Sequence, residues 1–113
     1  MHEMSLAEGV IQLIEDNARQ NSFTRVKTVW LEIGQLAGVE PEAMRFCFEA
    51  VARGSIADGA ALEIIETPGI GICAECGRTM EVTERFQPCP HCGDFGVTVT
   101  GGDEMRVKEL EVE

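Results

Sequence analysis

The chain has 113 residues, of which 20 are acidic and 9 basic, so its formal net charge is −11. Zinc modules that bind nucleic acid gain most of their affinity from lysine and arginine, so this charge argues against a nucleic-acid partner. No apolar run reaches the roughly 18 residues of a membrane span, and no cationic segment followed by an apolar run marks a secretory signal. Five cysteines, four of them in metal-binding spacing, suit a reducing compartment. We therefore expect a cytoplasmic protein that does not associate with membranes.

Two segments have the pattern of amphipathic helices. Apolar residues recur at three- and four-residue steps over residues 4–18, which predicts the first helix. The second helix is predicted to begin at Pro41, because proline is favoured at the first helical position, with Glu40 at or near the cap. It is predicted to end at Arg53-Gly54. Cys47 lies on its apolar face and is interpreted as a small core residue.

Three segments alternate like strands, namely Val26–Ile33, Leu62–Thr67 and Met105–Val112. The apolar phase of the last one shifts between Val107 and Leu110, which indicates a β-bulge or burial on both faces. Pro68-Gly69-Ile70-Gly71 is predicted to be a hinge.

This order of elements predicts an α+β fold in which two helices pack against a three-stranded sheet. A zinc-knuckle module with four cysteines is predicted to be inserted before the last strand. Residues 1–69 and 97–113 form the predicted α+β domain, and residues 70–96 form the predicted zinc-binding module.

The strongest chemical signal is a pair of C-x-x-C motifs, Cys73-Ala-Glu-Cys76 and Cys89-Pro-His-Cys92, each followed by a glycine. Two thiolates at this spacing can ligate one ion, and two such knuckles complete a tetrahedral sulfur cage. Four thiolates leave no open position, so the predicted site is structural and not hydrolytic. The module is too small to bury its own core, and metal binding on the order of 10 kcal/mol or more must stabilise it.

The motifs leave some alternatives open. Iron in a rubredoxin-like electron carrier is the rival to zinc, although the chain has no tyrosine and few aromatic residues near the knuckles. The twelve residues between Cys76 and Cys89 are expected to form a small β-hairpin. His91, inside the second knuckle, is either an exposed residue or a functional one, and the functional alternatives are an exchangeable ligand and a proton-sensitive neighbour of the site.

The N-terminus, Met1-His2-Glu3, offers a second set of metal donors. The terminal amine, the amide nitrogen of His2 and its imidazole form adjacent chelate rings around one ion, and the Glu3 amide adds a fourth nitrogen. Planar nitrogen donors are preferred by Ni(II) and Cu(II) over Zn(II). From these residues alone, a solvated histidine without a metal is the competing interpretation.

Several segments occur in an order that resembles the HypA/HybF family of hydrogenase nickel-incorporation chaperones, and the resemblance covers essentially the whole chain. The segments are Met-His-Glu-Met-Ser-Leu at residues 1–6, Glu-Ile-Gly-Gln-Leu at 32–36, Val-Glu-Pro-Glu at 39–42, Phe-Cys-Phe at 46–48, the two knuckles, and Val-Lys-Glu-Leu-Glu-Val-Glu at 107–113.

This resemblance implies a transient Ni(II) site in the α+β domain of residues 1–69 and 97–113, which makes it the nickel-binding domain, and a structural Zn(II) site in the module of residues 70–96. It implies that Ni(II) binds at His2 with the amine of Met1 and the local amides, with help from Glu3. An acidic residue at the start of the second helix also approaches nickel in the family. Glu40 occupies that position here, where some members carry aspartate, and a helix-start charge favoured by the dipole is its alternative role.

The function implied is that of a non-enzymatic metallochaperone. It passes Ni(II) to the large subunit of a [NiFe]-hydrogenase and, in some organisms, toward urease and its accessory proteins. A HypB-type GTPase is the implied partner, since the chain itself has no phosphate-binding loop. The alternative is a zinc-ribbon adaptor whose histidine is incidental. The sequence leaves both a monomer and a homodimer open.

Overall fold

The computed structural model describes residues 2–113, and within them two helices and two three-stranded sheets form the predicted α+β fold. The elements in chain order are α1 (Glu3–Asn21), β1 (Val26–Gly34), α2 (Pro41–Ala52), β2 (Ala61–Thr67), β3 (Gly69–Cys73), β4 (Thr79–Val82), β5 (Val97–Gly101) and β6 (Met105–Val112).

The first sheet has the order β2-β1-β6, with β1 parallel to β2 and antiparallel to β6. Alternate residues of β1, among them Val29 and Leu31, are fully buried in one core with Ile14 of α1 and Met44 of α2. Burial of each such side chain contributes about 1.5–3 kcal/mol, so this core holds both helices on one face of the sheet.

The last strand carries the β-bulge that its apolar pattern indicates. Trp30 pairs with Glu109 but Leu31 pairs with Val107, so Lys108 is the extra residue. The bulge allows apolar residues on either side of Lys108 to face the same core although their spacing is odd.

The second sheet has the order β4-β3-β5, and β3 is antiparallel to both neighbours. The predicted hinge at residues 68–71 is wrong, because Gly69 and Gly71 lie in the central strand. A Cβ on Gly69 would lie 2.2 Å from the carbonyl oxygen of Val82 on β4. A Cβ on Gly71 would lie 2.8 Å from the Cγ2 atom of the same valine. These glycines therefore allow close strand approach and do not provide flexibility.

The chain between the knuckles also differs from expectation. It contributes one strand, β4, which pairs with β3, so the expected hairpin is wrong. β5 was not predicted, and its pairing with β3 extends the second sheet to Gly101, beyond the predicted module boundary at residue 96.

The two sheets meet where β1 ends. Gly34 and Leu36 donate backbone hydrogen bonds to Glu104 and Gly102, at 2.8 and 2.7 Å. Leu36 is also buried in the small core of the second sheet. The molecule measures 53 × 27 × 17 Å, so the two sheets extend it along one axis. In the part of the chain from residue 2 onward, neither helix is long and apolar enough to cross a membrane.

Candidate metal centres

The structure brings the four predicted zinc ligands together. The Sγ atoms of Cys73, Cys76, Cys89 and Cys92 all lie within 4.8 Å of one another. The Sγ–Sγ distances are 3.6 Å for Cys73–Cys92 and 3.7 Å for Cys76–Cys89. A tetrahedral ion with Zn–S bonds of about 2.3 Å requires edges of about 3.8 Å, whereas a disulfide requires about 2.05 Å. The cluster therefore fits a closed four-thiolate zinc site.

The two knuckles have matching backbone conformations. In the first, the Gly77 N–H donates to the carbonyl of Cys73, and in the second the Gly93 N–H donates to that of Cys89, both at 2.8 Å. The two glycines have φ of 71° and 78°, a left-handed conformation that glycine adopts without a steric penalty. Because β3 ends at Cys73, the sheet orients the first knuckle.

The thiols of the cluster do not ionise equally. Burial raises the pKa of Cys89, but the backbone N–H groups of Cys92 and His91 and the neighbouring thiols outweigh it and hold the pKa at about 7. For Cys92, a backbone hydrogen bond from Asp94 lowers the pKa, but burial and the other thiols outweigh it and raise the pKa to about 12. A backbone hydrogen bond from Arg78 lowers the pKa of Cys76, but burial and the Cys73 and Cys89 thiols outweigh it and raise the pKa. Crowded thiolates repel one another, and a divalent cation would remove this repulsion.

His91 points away from the sulfur cluster. Its side chain is exposed, and its Nδ1 lies 3.2 Å from the Arg78 guanidinium. The guanidinium has no acceptor, so the imidazole nitrogen must accept this bond. The backbone N–H of His91 donates to Cys89 Sγ at 3.4 Å. These contacts favour the interpretation of His91 as an exposed residue, and its interaction with Arg78 was not predicted from the sequence.

The predicted nickel donors lie at the beginning of α1, although Met1 lies outside the described residues. His2 is the N-cap of the helix, with an exposed side chain and a carbonyl that accepts a hydrogen bond from the Leu6 N–H at 3.0 Å. The N–H of Glu3 is in the first turn, where helical N–H groups have no helical partner. The imidazole of His2 and this amide are therefore free of helical hydrogen bonds, and the amide donates to the carboxylate of its own residue, Glu3.

Glu3 is the buried acidic residue at this site, with 7% of its surface exposed. Its Oε2 accepts a hydrogen bond from the backbone N–H of Glu40 at 3.2 Å. This bond, together with one from its own backbone N–H, holds the pKa of the Glu3 carboxyl below its usual value. The contact connects the beginnings of the two helices. No local sequence pattern identifies it, because the partners are 37 residues apart.

The side chain of Glu40 caps α2. Its Oε1 accepts from the Glu42 N–H at 3.3 Å and its Oε2 accepts from the Ala43 N–H at 2.7 Å. The predicted capping role is confirmed, and it occupies both carboxylate oxygens. A nickel-ligating role for Glu40 stays a prediction, and it would require the carboxylate to leave the helix end.

An apolar groove lies beside the N-terminal donors. Its volume is 280 Å³, and it is lined by Glu3, Met4, Ala43, Phe46 and Cys47. Cys47 is half-buried against the main core and far from the sulfur cluster in the fold, in agreement with the expected packing role.

Known proteins share both the sequence and the fold of this chain. Residues 1–112 match the family model described as "Hydrogenase/urease nickel incorporation, metallochaperone, hypA". Hydrogenase maturation factor HypA of Albidiferax ferrireducens is 65% identical over 113 residues, with 100% of each chain covered. That of Dechloromonas aromatica is 64% identical over the same length and coverage.

A solved structure has the same architecture. The solution structure of the Ni metallochaperone HypA from Helicobacter pylori matches with a TM-score of 0.74 at 26% identity. The match covers 99% of this chain and 97% of that chain.

Proposed function

The chain belongs to the HypA family of hydrogenase and urease nickel-incorporation metallochaperones, and we propose how its residues hold and release the nickel that such a protein delivers for hydrogenase maturation. Ni(II) binds at the N-terminus through the amine of Met1, the amide and imidazole of His2 and the Glu3 amide. The observation that carries this proposal is the exposed imidazole of His2 at the beginning of α1, next to the Glu3 amide, which has no helical partner. Nitrogen donors of this kind suit Ni(II).

The position of this site at the N-terminus also accounts for the release of nickel. Metal binding requires an unprotonated amine and imidazole, so protonation of either donor weakens the site. The carboxylates of Glu3 and Glu40 lie close by and give the site negative charge, with Glu40 as an additional ligand once its cap opens. A partner that docks near α1 can therefore change the donor set without unfolding the core.

The four-cysteine cluster holds zinc as a structural ion, ligated by Cys73, Cys76, Cys89 and Cys92. Its sulfur spacing supports this proposal. The zinc module comprises residues 70–96 and, by strand pairing, the rest of the second sheet to Gly101. The α+β domain that carries nickel comprises the first sheet and both helices.

In this proposal the chain has several partners during nickel delivery. The large subunit of a [NiFe]-hydrogenase receives the nickel, a HypB-type GTPase cooperates in delivery, and urease accessory proteins are further recipients in organisms that have urease. The chain itself is not an enzyme, and the lack of a phosphate-binding loop in its sequence supports a separate GTPase. The acidic composition and the reduced cysteines support a cytoplasmic location.

The test is a Ni(II) titration of untagged protein by calorimetry. The chain has two histidines, so His91→Ala is a matched control for His2→Ala. We expect His2→Ala to lower nickel affinity at least about tenfold, because it removes the imidazole ligand and the chelate ring that contains it, equivalent to about 1.4 kcal/mol or more. His91→Ala should bind nickel like the wild type. Equal affinity and stoichiometry for His2→Ala and wild type would refute the terminal site.

A further inference from the structure

The helices cover one face of the first sheet, and the opposite face, here called the open face, is exposed to solvent. Along β1, the residues that alternate with the buried ones are Thr28, Trp30 and Glu32, and all three are half-buried. Cross-strand partners point to the same side of a sheet. Trp30 is paired with Glu63 on β2 and with Glu109 on β6, so a glutamate lies on each side of the indole.

These two glutamates differ from the other acidic residues of the open face. Glu32 forms an ion pair with Arg106, and Glu111 accepts a hydrogen bond at 2.8 Å from a threonine hydroxyl of β1. Glu63 and Glu109 are exposed, and among residues 2–113 neither has a salt-bridge partner. The open face thus presents an aromatic ring between two unpaired carboxylates.

We propose that the open face binds a basic segment of a partner protein, with a lysine or arginine over the Trp30 indole between the carboxylates of Glu63 and Glu109. Tryptophan is the best aromatic partner for a cation. Since neighbouring strands are about 4.8 Å apart, the two flanking strands are about 10 Å apart. One metal ion cannot bridge carboxylates at that separation, whereas a cationic side chain lying over the indole can contact either of them.

The charge of the open face indicates which kind of molecule can bind there. Its paired rows carry four carboxylates, on Glu32, Glu63, Glu109 and Glu111, against the one guanidinium of Arg106. A second copy of this face, a nucleic acid or an anionic lipid surface would be repelled, whereas a basic segment is attracted. This inference concerns a surface separate from both metal sites and does not rest on nickel binding.

The chain provides its own reporter for a test. Trp30 is the only tryptophan and there is no tyrosine, so indole emission reports on the open face alone. Titration with a hexa-arginine peptide at low salt should give a saturable change in emission, and a hexaglutamate peptide should give none. Trp30→Phe should weaken binding of a labelled hexa-arginine peptide about threefold, the size of a cation–π contact at an exposed site.

Two double variants distinguish binding at the open face from a general attraction of the peptide to an acidic protein. The double variant that combines Glu63→Gln and Glu109→Gln should weaken hexa-arginine binding about fivefold, the effect of losing two exposed ion pairs. Glu8→Gln with Glu84→Gln changes the net charge equally at exposed positions elsewhere and should keep wild-type affinity. Circular dichroism should show the four-glutamate set of variants folded, since the substituted glutamates are exposed, and should check that Trp30→Phe, at a half-buried position, is folded as well.

Three results would overturn the proposal. The first is no emission change in the wild type, and the second is equal weakening by both glutamate pairs. The third is a dimer, detected by sedimentation, that Trp30→Phe dissociates, because it would assign the open face to a second copy of the chain.

Discussion

The two halves of the molecule are stabilised in different ways. In the first, two helices and a sheet bury a core of twelve residues, including Ile14, Leu31 and Phe48. In the second, the buried cluster has five residues, and two of them, Cys73 and Cys89, are thiols of the metal site. An apolar core can stabilise the first half alone, whereas the second depends on its metal. A permanently bound ion can therefore serve the fold while, in our proposal, the transient ion binds at the N-terminus in the other half of the molecule.

The largest predicted effect is on the second half. Cys73→Ser removes one thiolate from the closed site, and we expect loss of zinc and unfolding of β3, β4 and β5, since structural zinc contributes on the order of 10 kcal/mol. Hydrogen exchange should show lost protection there and retained protection in α1 and β1. Cys47→Ser, outside the cluster, should retain zinc. Loss of protection throughout the chain would show that the halves are not independent.

The reverse experiment tests the apolar core. Leu31→Ala removes a fully buried side chain, and we expect the free energy of unfolding of the first half to fall by about 2–5 kcal/mol. Zinc content should not change in the folded protein. Leu13→Ala, at a residue that is 45% exposed, should cost under about 1 kcal/mol. Zinc loss in folded Leu31→Ala would contradict a separately stabilised second half.

A smaller effect is expected where the two helices begin. Glu3→Gln removes the charged acceptor for the Glu40 N–H and should lower the melting temperature at pH 7 by less than Leu31→Ala does. Because the folded-state pKa of Glu3 lies below the usual 4.5, its contribution is present above pH 4.5 and is lost as the pH falls through the folded-state pKa. Melting curves across this range should show wild type and Glu3→Gln converging. The exposed Glu8→Gln is the control, and a pH-independent difference for Glu3→Gln would argue against the charged bond.

The elements that the sequence predicts correctly depend on local patterns. Pro41 fixes the beginning of α2, and alternation identifies β1, β2 and β6. The errors arise where the identity of a residue is determined by a contact with a residue that is distant in the sequence. Gly69 and Gly71 suggested a hinge, but they are small because Val82 packs against them. The alternating valines and threonines of Val97–Gly101 were a usable strand signal for β5.

The same distinction applies to the candidate sites. The cysteine spacing is a local signal, and it predicted a cluster that the fold does bring together. The link between Glu3 and the Glu40 backbone depends on how α1 packs against α2, which no local pattern contains. The open face likewise depends on strand register, because only pairing places Glu63 and Glu109 beside Trp30.

The most direct test of the account is parallel quantification of nickel and zinc in protein with a Gly-Ser-Gly-Ser extension before Met1. The extension converts the terminal amine into an amide and places the new amine too far along the chain from His2 to close the same chelate rings, so we predict nickel affinity at least about tenfold lower. Zinc should stay at one ion per chain, because the sulfur cluster lies in the other half of the molecule. Unchanged nickel affinity in the extended protein would contradict a terminal nickel site that is separate from the zinc site.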